Sequence, residues 1–340
     1  DGLSAGVAPP AGARAAIHWR AMLSEFELIR RYFDRPSRSV LLGVGDDAAL
    51  VKPGPGMALA VSTDMLLEGR HFAVGADPRS LGHKALAVNL SDMAAMGAVP
   101  RWATLALALP QADEAWLAAF TEGWYALAER CGVDLIGGDT ARGSLVIAVT
   151  ILGEVPEGQA LLRSGARPED DIWVSGELGG AALALAHSRG RVKLAQHEAA
   201  HAARRLNVPE PRVALGERLR GIASSAIDIS DGFAGDLRHV LERSGVSARV
   251  HYASLPRPAA LAALADPGLE ADCVLSGGDD YELLFTAAPA RRTELAALAA
   301  ELGLALTRVG TIHAGGTLLE LLDAAGRTMP QAVGFDHFRP

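Results

Sequence analysis

Carboxylates recur through this chain in short segments flanked by Gly, Ser and Thr. These are Gly45-Asp46-Asp47, Ser62-Thr63-Asp64, Asn89-Leu90-Ser91-Asp92, Gly137-Gly138-Asp139-Thr140, Asp228-Ile229-Ser230-Asp231-Gly232 and Gly277-Gly278-Asp279-Asp280. Oxygen donors of this kind suit hard cations such as Mg²⁺. A single such segment is ordinarily a turn or a helix N-cap. Their repetition, with several at the ends of apolar strands, points instead to a metal-dependent site for chemistry on phosphates, because gathered carboxylates repel one another and demand cations. Ser62 and Thr63 offer hydroxyl oxygens beside Asp64. Asp92 stands in an Ala, Met and Leu environment, where a carboxylate is either exposed or partnered, and Asn89 shares its helix face.

Other candidates carry less weight alone. The stretch Ser175-Gly176-Glu177-Leu178-Gly179-Gly180 follows a strand and opens a helix, so its amides could cradle phosphate or simply allow tight packing. It matches neither the Walker A nor the dinucleotide pattern. Arg163 could grip a phosphate in bidentate fashion or remain a solvated loop residue. His71, just beyond Asp64, is a substrate contact or a capping histidine, and Phe335 an aromatic stacking surface or a packing anchor.

The elements that must position these residues follow from periodicity. Ser24, with Glu25 and Glu27, predicts a capped helix running to Phe33. Val40–Leu42 and Met57–Val61 read as short strands, each ending at an acidic turn. Leu81–Met96 reads as a helix, Trp102–Leu109 as a strand, and Asp113-Glu114 as the start of a helix ending near Cys131. Asp134–Ile136 leads into the Gly138-Asp139 turn, and Leu145–Leu152 is an apolar strand. A boundary falls near Pro156-Glu157-Gly158. Beyond it come a strand at Asp171–Ser175, a helix over Pro209–Leu219, a strand at Ala226–Ile229 and a helix ending near Arg243. Asp272–Leu275 and Tyr281–Thr286 read as a strand–turn–strand. An α/β or α+β pair of domains with a cleft between them fits this order.

The 340 residues carry a net charge of −8, which argues against a nucleic-acid-binding surface but not against anionic substrates met through metal ions. Two cysteines, Cys131 and Cys273, read as reduced thiols of a cytoplasmic protein, and the ten dispersed histidines give no zinc spacing. No apolar run is long enough to span a bilayer. The Ala/Gly/Pro-rich residues 1–23 lack the apolar core of a signal peptide and read as a disordered leader, with Met22 a plausible start.

Taken together, the segments resemble the thiamine-monophosphate kinase family of the aminoimidazole ribonucleotide synthetase-like ATP-binding superfamily. The resemblance rests on GVGDDAAL at 43–50, STDMLLEGRHF at 62–72, GHKALAVNLSDMAAMGA at 82–98, LIGGDTARG at 135–143, DISDGFAGDL at 228–237, SGGDDYELLFT at 276–286 and GFDHF at 334–338. It implies an N-terminal ATP- and Mg-binding domain over 24–154 that pairs in a homodimer, and a C-terminal α/β domain over 155–340. ATP and thiamine monophosphate would lie in the cleft between domains, with several Mg²⁺ ions. Carried over by position, Asp47, Ser62, Thr63, Asp64, Asp92, Asp139, Asp228 and Asp231 would hold the metal. Gly138, Asp139, Arg163 and Ser230 would contact ATP, and His71, Asp279 and Phe335 the thiamine phosphate. Asp279 stands where the family commonly has Glu, and Phe335 where it commonly has Trp. A Tyr expected beside ATP has no clear counterpart, since Trp124 and Tyr125 both lie nearby. The implied reaction is direct in-line transfer of the γ-phosphoryl group to the phosphate of thiamine monophosphate, the last step of thiamine diphosphate biosynthesis. The alternative is another ATP-dependent phosphorylating or synthetase enzyme of the same superfamily.

Overall fold

The computed structural model describes residues 24–37, 39–330 and 334. The leader expected over 1–23, and Phe335 with the rest of the GFDHF segment after Gly334, lie outside the described residues. The expected capping box forms at Ser24, whose amide donates to Glu27 Oε2 at 2.8 Å while its hydroxyl accepts from Glu27 N at 3.3 Å. The helix it opens, α1 (Glu25–Leu28), widens at once into a π-turn over Ile29–Phe33. Val40–Leu42 forms no strand, only an isolated bridge between Leu42 and Leu50.

The first half builds β1 (Met57–Leu67), α2 (Pro78–Ala95), β2 (Val99–Leu109), α3 (Glu114–Cys131), β3 (Asp134–Arg142) and β4 (Val146–Pro156). Its four strands lie in the order β1-β4-β2-β3, antiparallel except for the parallel β2–β3 pair, which α3 connects. Two of the acidic segments expected at strand ends, Ser62-Thr63-Asp64 and Gly137-Gly138-Asp139, lie inside strands. Alternation continues past Val61, with Ser62, Asp64 and Leu66 turned inward and Thr63, Met65 and Leu67 outward, so β1 runs on to Leu67. Gly137-Gly138-Asp139 likewise sits within β3, where Gly138 is required: a Cβ there would fall 1.9 Å from the Leu105 carbonyl.

Helix α2 starts at Asp77, whose carboxylate accepts from Ser80 N at 2.8 Å, and is buried on nearly every side. It packs against α3 at backbone distance, since a Cβ on Gly82 would meet the Phe120 carbonyl at 2.0 Å. Asp113 caps α3 through Ala115 N and Trp116 N, and left-handed Gly132 ends it. Trp124 and Tyr125 are both core residues of α3, so neither reaches a ligand surface.

The second half builds β5 (Asp171–Ser175), α4 (Gly180–Ser188), α5 (Gln196–Asn207), α6 (Val213–Leu219), β6 (Ser225–Asp228), α7 (Phe233–Ser244), β7 (Val246–His251), α8 (Ala259–Ala262), α9 (Pro267–Ala271), β8 (Leu283–Ala287), α10 (Arg292–Leu302), β9 (Leu306–Ala314) and β10 (Leu319–Leu322). Its six strands lie in the order β10-β7-β9-β5-β8-β6. Asp272–Leu275, expected as a strand, falls in a π-turn over Asp272–Ser276 that continues α9. A three-residue apolar run in Cys273-Val274-Leu275 cannot distinguish the two by periodicity. The halves share a core in which Ala94 and Ala95 of α2 meet Trp173, Leu215 and Phe285. There α6 touches α2 directly, because a Cβ on Gly216 would lie 2.0 Å from the Ala94 carbonyl.

Candidate active site

The inward face of β1, the middle of α2 and the end of β6 converge on one cavity of about 1010 Å³. Thr63, Asp64, His71, Asp92, Asp228, Ser230, Asp231 and Asp279 are among the residues that line it. Strand pleat puts Ser62 and Asp64 on the inward face. The Ser62 hydroxyl donates to the Asp92 carboxylate, and Ser91 Oγ donates to Asp228 Oδ2 at 2.7 Å. Thr63 points the other way: its Oγ1 lies 2.8 Å from Thr150 Oγ1 on the outer face, so any oxygen it gives the cavity comes from the backbone.

Three carboxylates from three elements therefore face one another. Burial pushes the Asp64 carboxyl up to about 6, with the charges of Asp92 and Asp231 adding to it. Burial pushes Asp228 up to about 7, reinforced by Asp92 and Asp64 and eased by Ser91 and Arg163. Asp92 is also raised by burial, while Ser62 and Arg163 act against that. Arg163 is exposed, yet its charge reaches both Asp92 and Asp228. Asn89 is fully buried and its Nδ2 donates to the Ala85 carbonyl at 3.0 Å, so that group does not orient Asp92.

Hard oxygen donors carrying crowded negative charge fit Mg²⁺. Among the described residues, no three His, Cys, Asp or Glu side chains are arranged to hold a metal ion by themselves. That suits Mg²⁺ too, which is commonly bound by one or two carboxylates together with waters and substrate phosphates rather than by an all-protein cage.

The Ser230-Asp231 loop is pinned from two sides. Both amides donate to Asp236 Oδ2 at 3.1 Å, and the Ser230 carbonyl accepts from Asp279 N at 2.9 Å. Gly278 permits this approach, since a Cβ there would sit 2.3 Å from Ser230 O. Asp236 is buried, and desolvation with the charges of Asp228 and Asp231 lifts its carboxyl to about 8. In the facing turn, Asp279 and Tyr281 adopt φ of 66° and 50°, a left-handed conformation costly for residues with side chains. The Tyr281 hydroxyl donates to Asp279 Oδ1 at 2.8 Å, and Lys84 Nζ donates to Asp279 Oδ2 at 3.2 Å. His71 Nδ1 accepts from Leu67 N at 2.9 Å, which leaves the proton of the neutral ring on Nε2.

Asp47, Gly138 and Asp139 line a second cavity of about 1170 Å³, together with Arg30, Phe33 and Thr140. The strand order explains the separation: β1 and β3 are opposite edges of one sheet, three strand spacings or about 14 Å apart. Within one chain the acidic segments thus form two groups. The glycine-rich stretch Ser175–Gly180 packs rather than cradles. Gly179 N donates to the buried Asp280 carboxylate at 2.7 Å, and a Cβ on Gly176 would collide with Glu282.

Asp236, Lys84 and Tyr281 went unread in the sequence. Lys84 carried the clearest signal, as a cation directly ahead of Ala85-Leu86-Ala87-Val88 on a helix buried on nearly every side.

The chain matches the family models "AIR synthase related protein, N-terminal domain" over residues 45–155 and "AIR synthase related protein, C-terminal domain" over 167–319, which defines the class. Within that class the chain belongs to the thiamine-monophosphate kinase family. It is 44% identical over 321 residues to the thiamine-monophosphate kinase of Salmonella typhimurium, covering 92% of this chain and 98% of that one. The crystal structure of thiamine-monophosphate kinase from Stenotrophomonas maltophilia K279a superposes with a TM-score of 0.80 at 46% identity, covering 89% of this chain and 96% of that one. AaThiL complexed with AMPPCP and TMP superposes with a TM-score of 0.74 at 28% identity, covering 89% and 93%.

Proposed function

We infer that the protein transfers the γ-phosphoryl group of ATP to the phosphate of thiamine monophosphate, giving thiamine diphosphate and ADP. The observation that carries this reading is the single cavity shared by Asp64, Asp92 and Asp228 on one side and His71 and Asp279 on the other. It offers a place where a charged phosphate chain and an organic acceptor can meet.

The nucleophile is itself a phosphate oxygen, with a second pKa of about 6, so no side chain need remove a proton. The difficulty is the approach of two polyanions, and unit charges 4 Å apart repel by about 4 kcal/mol even at an effective dielectric near 20. Mg²⁺ held by Ser62, the Thr63 backbone, Asp64, Asp92, Asp228 and Asp231, and by the Asp47 and Asp139 group once a second copy brings it alongside, would neutralise phosphate charge there. Arg163, Ser230, Gly138 and Asp139 are assigned to ATP, and His71, Asp279 and Phe335 to the thiamine phosphate. The pinned Ser230-Asp231 loop supplies positioning without reorganisation during transfer.

We assign the chain a homodimeric state. Support comes from the outer face of β1, where Met57, Leu59, Val61, Met65 and Leu67 are 37% to 60% exposed on an edge strand, an apolar surface that a second copy would cover. Such pairing also offers a way for the Asp47 and Asp139 group of one chain to complete the Asp64 group of the other. The proposed domain division, expected at 154/155, is set just past Pro156, where β4 ends. Neither cysteine forms a disulfide, and among the described residues no helix is long and apolar enough to cross a membrane, in keeping with a cytoplasmic setting.

Incubation with Mg-ATP and thiamine monophosphate, followed by chromatography, tests the reading. Thiamine diphosphate should appear with ADP. A panel of other small-molecule acceptors giving product where thiamine monophosphate gives none would contradict it.

A further inference from the structure

Lys84 is 3% exposed, on a helix where it follows Gly82-His83 and leads into the buried run Ala85-Leu86-Ala87-Val88. A buried ammonium is strongly unfavourable unless paired, and a core position filled only for packing would be better served by Met or Leu. Its Nζ reaches two acceptors, the Asp279 carboxylate at 3.2 Å and the His71 carbonyl at 3.4 Å. These belong to segments 208 residues apart in sequence (279 − 71), and both line the same cavity. The second oxygen of Asp279 is held by the Tyr281 hydroxyl at 2.8 Å, so the carboxylate is gripped at both ends. The left-handed backbone of Asp279 and Tyr281 persists only where its surroundings impose it. Each carboxylate oxygen keeps a further acceptor site open for a donor arriving from the cavity.

We propose that Lys84 is a positioning residue for the acceptor. It fixes the distance between the His71 segment and the Asp279 turn and aims the Asp279 carboxylate at a cationic heteroaromatic phosphate ester bearing an amino group. This rests on the functional reading above. Lys84 acts through Asp279 and His71 and takes no part in the phosphoryl transfer itself.

The test is steady-state kinetics of the full chain, with both substrates varied in turn, for wild type, Lys84→Met, Lys84→Arg, Asp279→Asn and the Lys84→Met/Asp279→Asn double variant. Lys84→Met should raise KM for thiamine monophosphate about tenfold or more and leave KM for ATP within about twofold. The double variant should be little worse than Asp279→Asn alone, because the two residues work as one unit. Equal effects on both KM values, no effect on either, or fully additive losses would overturn the proposal. If Lys84→Met fails to fold, Lys84→Arg keeps the charge but displaces Asp279, and an unchanged KM for thiamine monophosphate in that variant overturns it equally. Wild-type protein making no thiamine diphosphate would refute the functional reading, and this proposal with it. A wild type that makes product alongside an unaffected Lys84→Met refutes the proposal alone.

Discussion

Asp228→Asn is expected to stabilise the metal-free protein while abolishing its turnover. Asp228 is 4% exposed and faces Asp92 and Asp64, and its carboxyl titrates at about 7 instead of the usual 3.8. A carboxylate raised in this way has its proton held more tightly in the folded state. Its favourable contribution is therefore complete below pH 3.8 and is lost as pH climbs through about 7. At pH 8 the ionised group costs the fold between about 2 and 4 kcal/mol, the upper figure being the full displacement at 1.36 kcal/mol per pH unit and the lower allowing for water in the cleft. Asn keeps an oxygen for the Ser91 hydroxyl and turns its amide protons toward the remaining carboxylates. Urea unfolding in EDTA at pH 5 and pH 8 reads the effect directly. The wild type should lose stability between those values, whereas Asp228→Asn should lose markedly less and be the more stable protein at pH 8. Added Mg²⁺ should stabilise wild type more than the variant. A variant less stable than wild type at pH 8, or an unchanged pH dependence, would refute the electrostatic picture of the cavity.

Three further outcomes are expected. Mixing inactive Asp64→Asn and Asp139→Asn chains, with subunit exchange, should restore up to about a quarter of wild-type activity if the two acidic groups meet across a dimer, since half the dimers then hold one intact site of two; no recovery would place both groups' work within one chain. Gly216→Ala should destabilise the protein by about 1–3 kcal/mol or more in urea unfolding, because its methyl would meet the Ala94 carbonyl where the halves join. Asp236→Ala should lower kcat about tenfold or more by releasing the Ser230-Asp231 amides, and Asp236→Asn, which still offers an acceptor, should recover most of that; equal activity in both variants would show that the loop holds itself.

Much of this was legible in the sequence where a single rule governed the residues. Helix α3 announces itself through the Asp113 cap and closes at Gly132, and its boundaries were read within a residue. Residue type alone ends β1 at Val61, because Ser62-Thr63-Asp64 looks like a turn. Its in–out alternation belongs to a strand that happens to carry polar groups on its inner face. The Asp272–Ser276 π-turn was hidden for the opposite reason, as an apolar run too short to show a period. In the site, residue types marked the carboxylates one by one. Their division into two groups was not visible, because it follows from strand order, which places β1 and β3 at opposite edges. Asp236 and Lys84 act through backbone amides and a carboxylate distant in sequence, contacts that no local spacing encodes.

The most direct measurement is the fate of the γ-phosphoryl group. With γ-labelled ATP, Mg²⁺ and thiamine monophosphate, the label should appear in thiamine diphosphate in equal amount to the ADP formed, and Asp64→Asn or Asp92→Asn should stop both. Label released as inorganic phosphate without thiamine diphosphate, or full turnover by both variants at saturating Mg²⁺, would contradict the account.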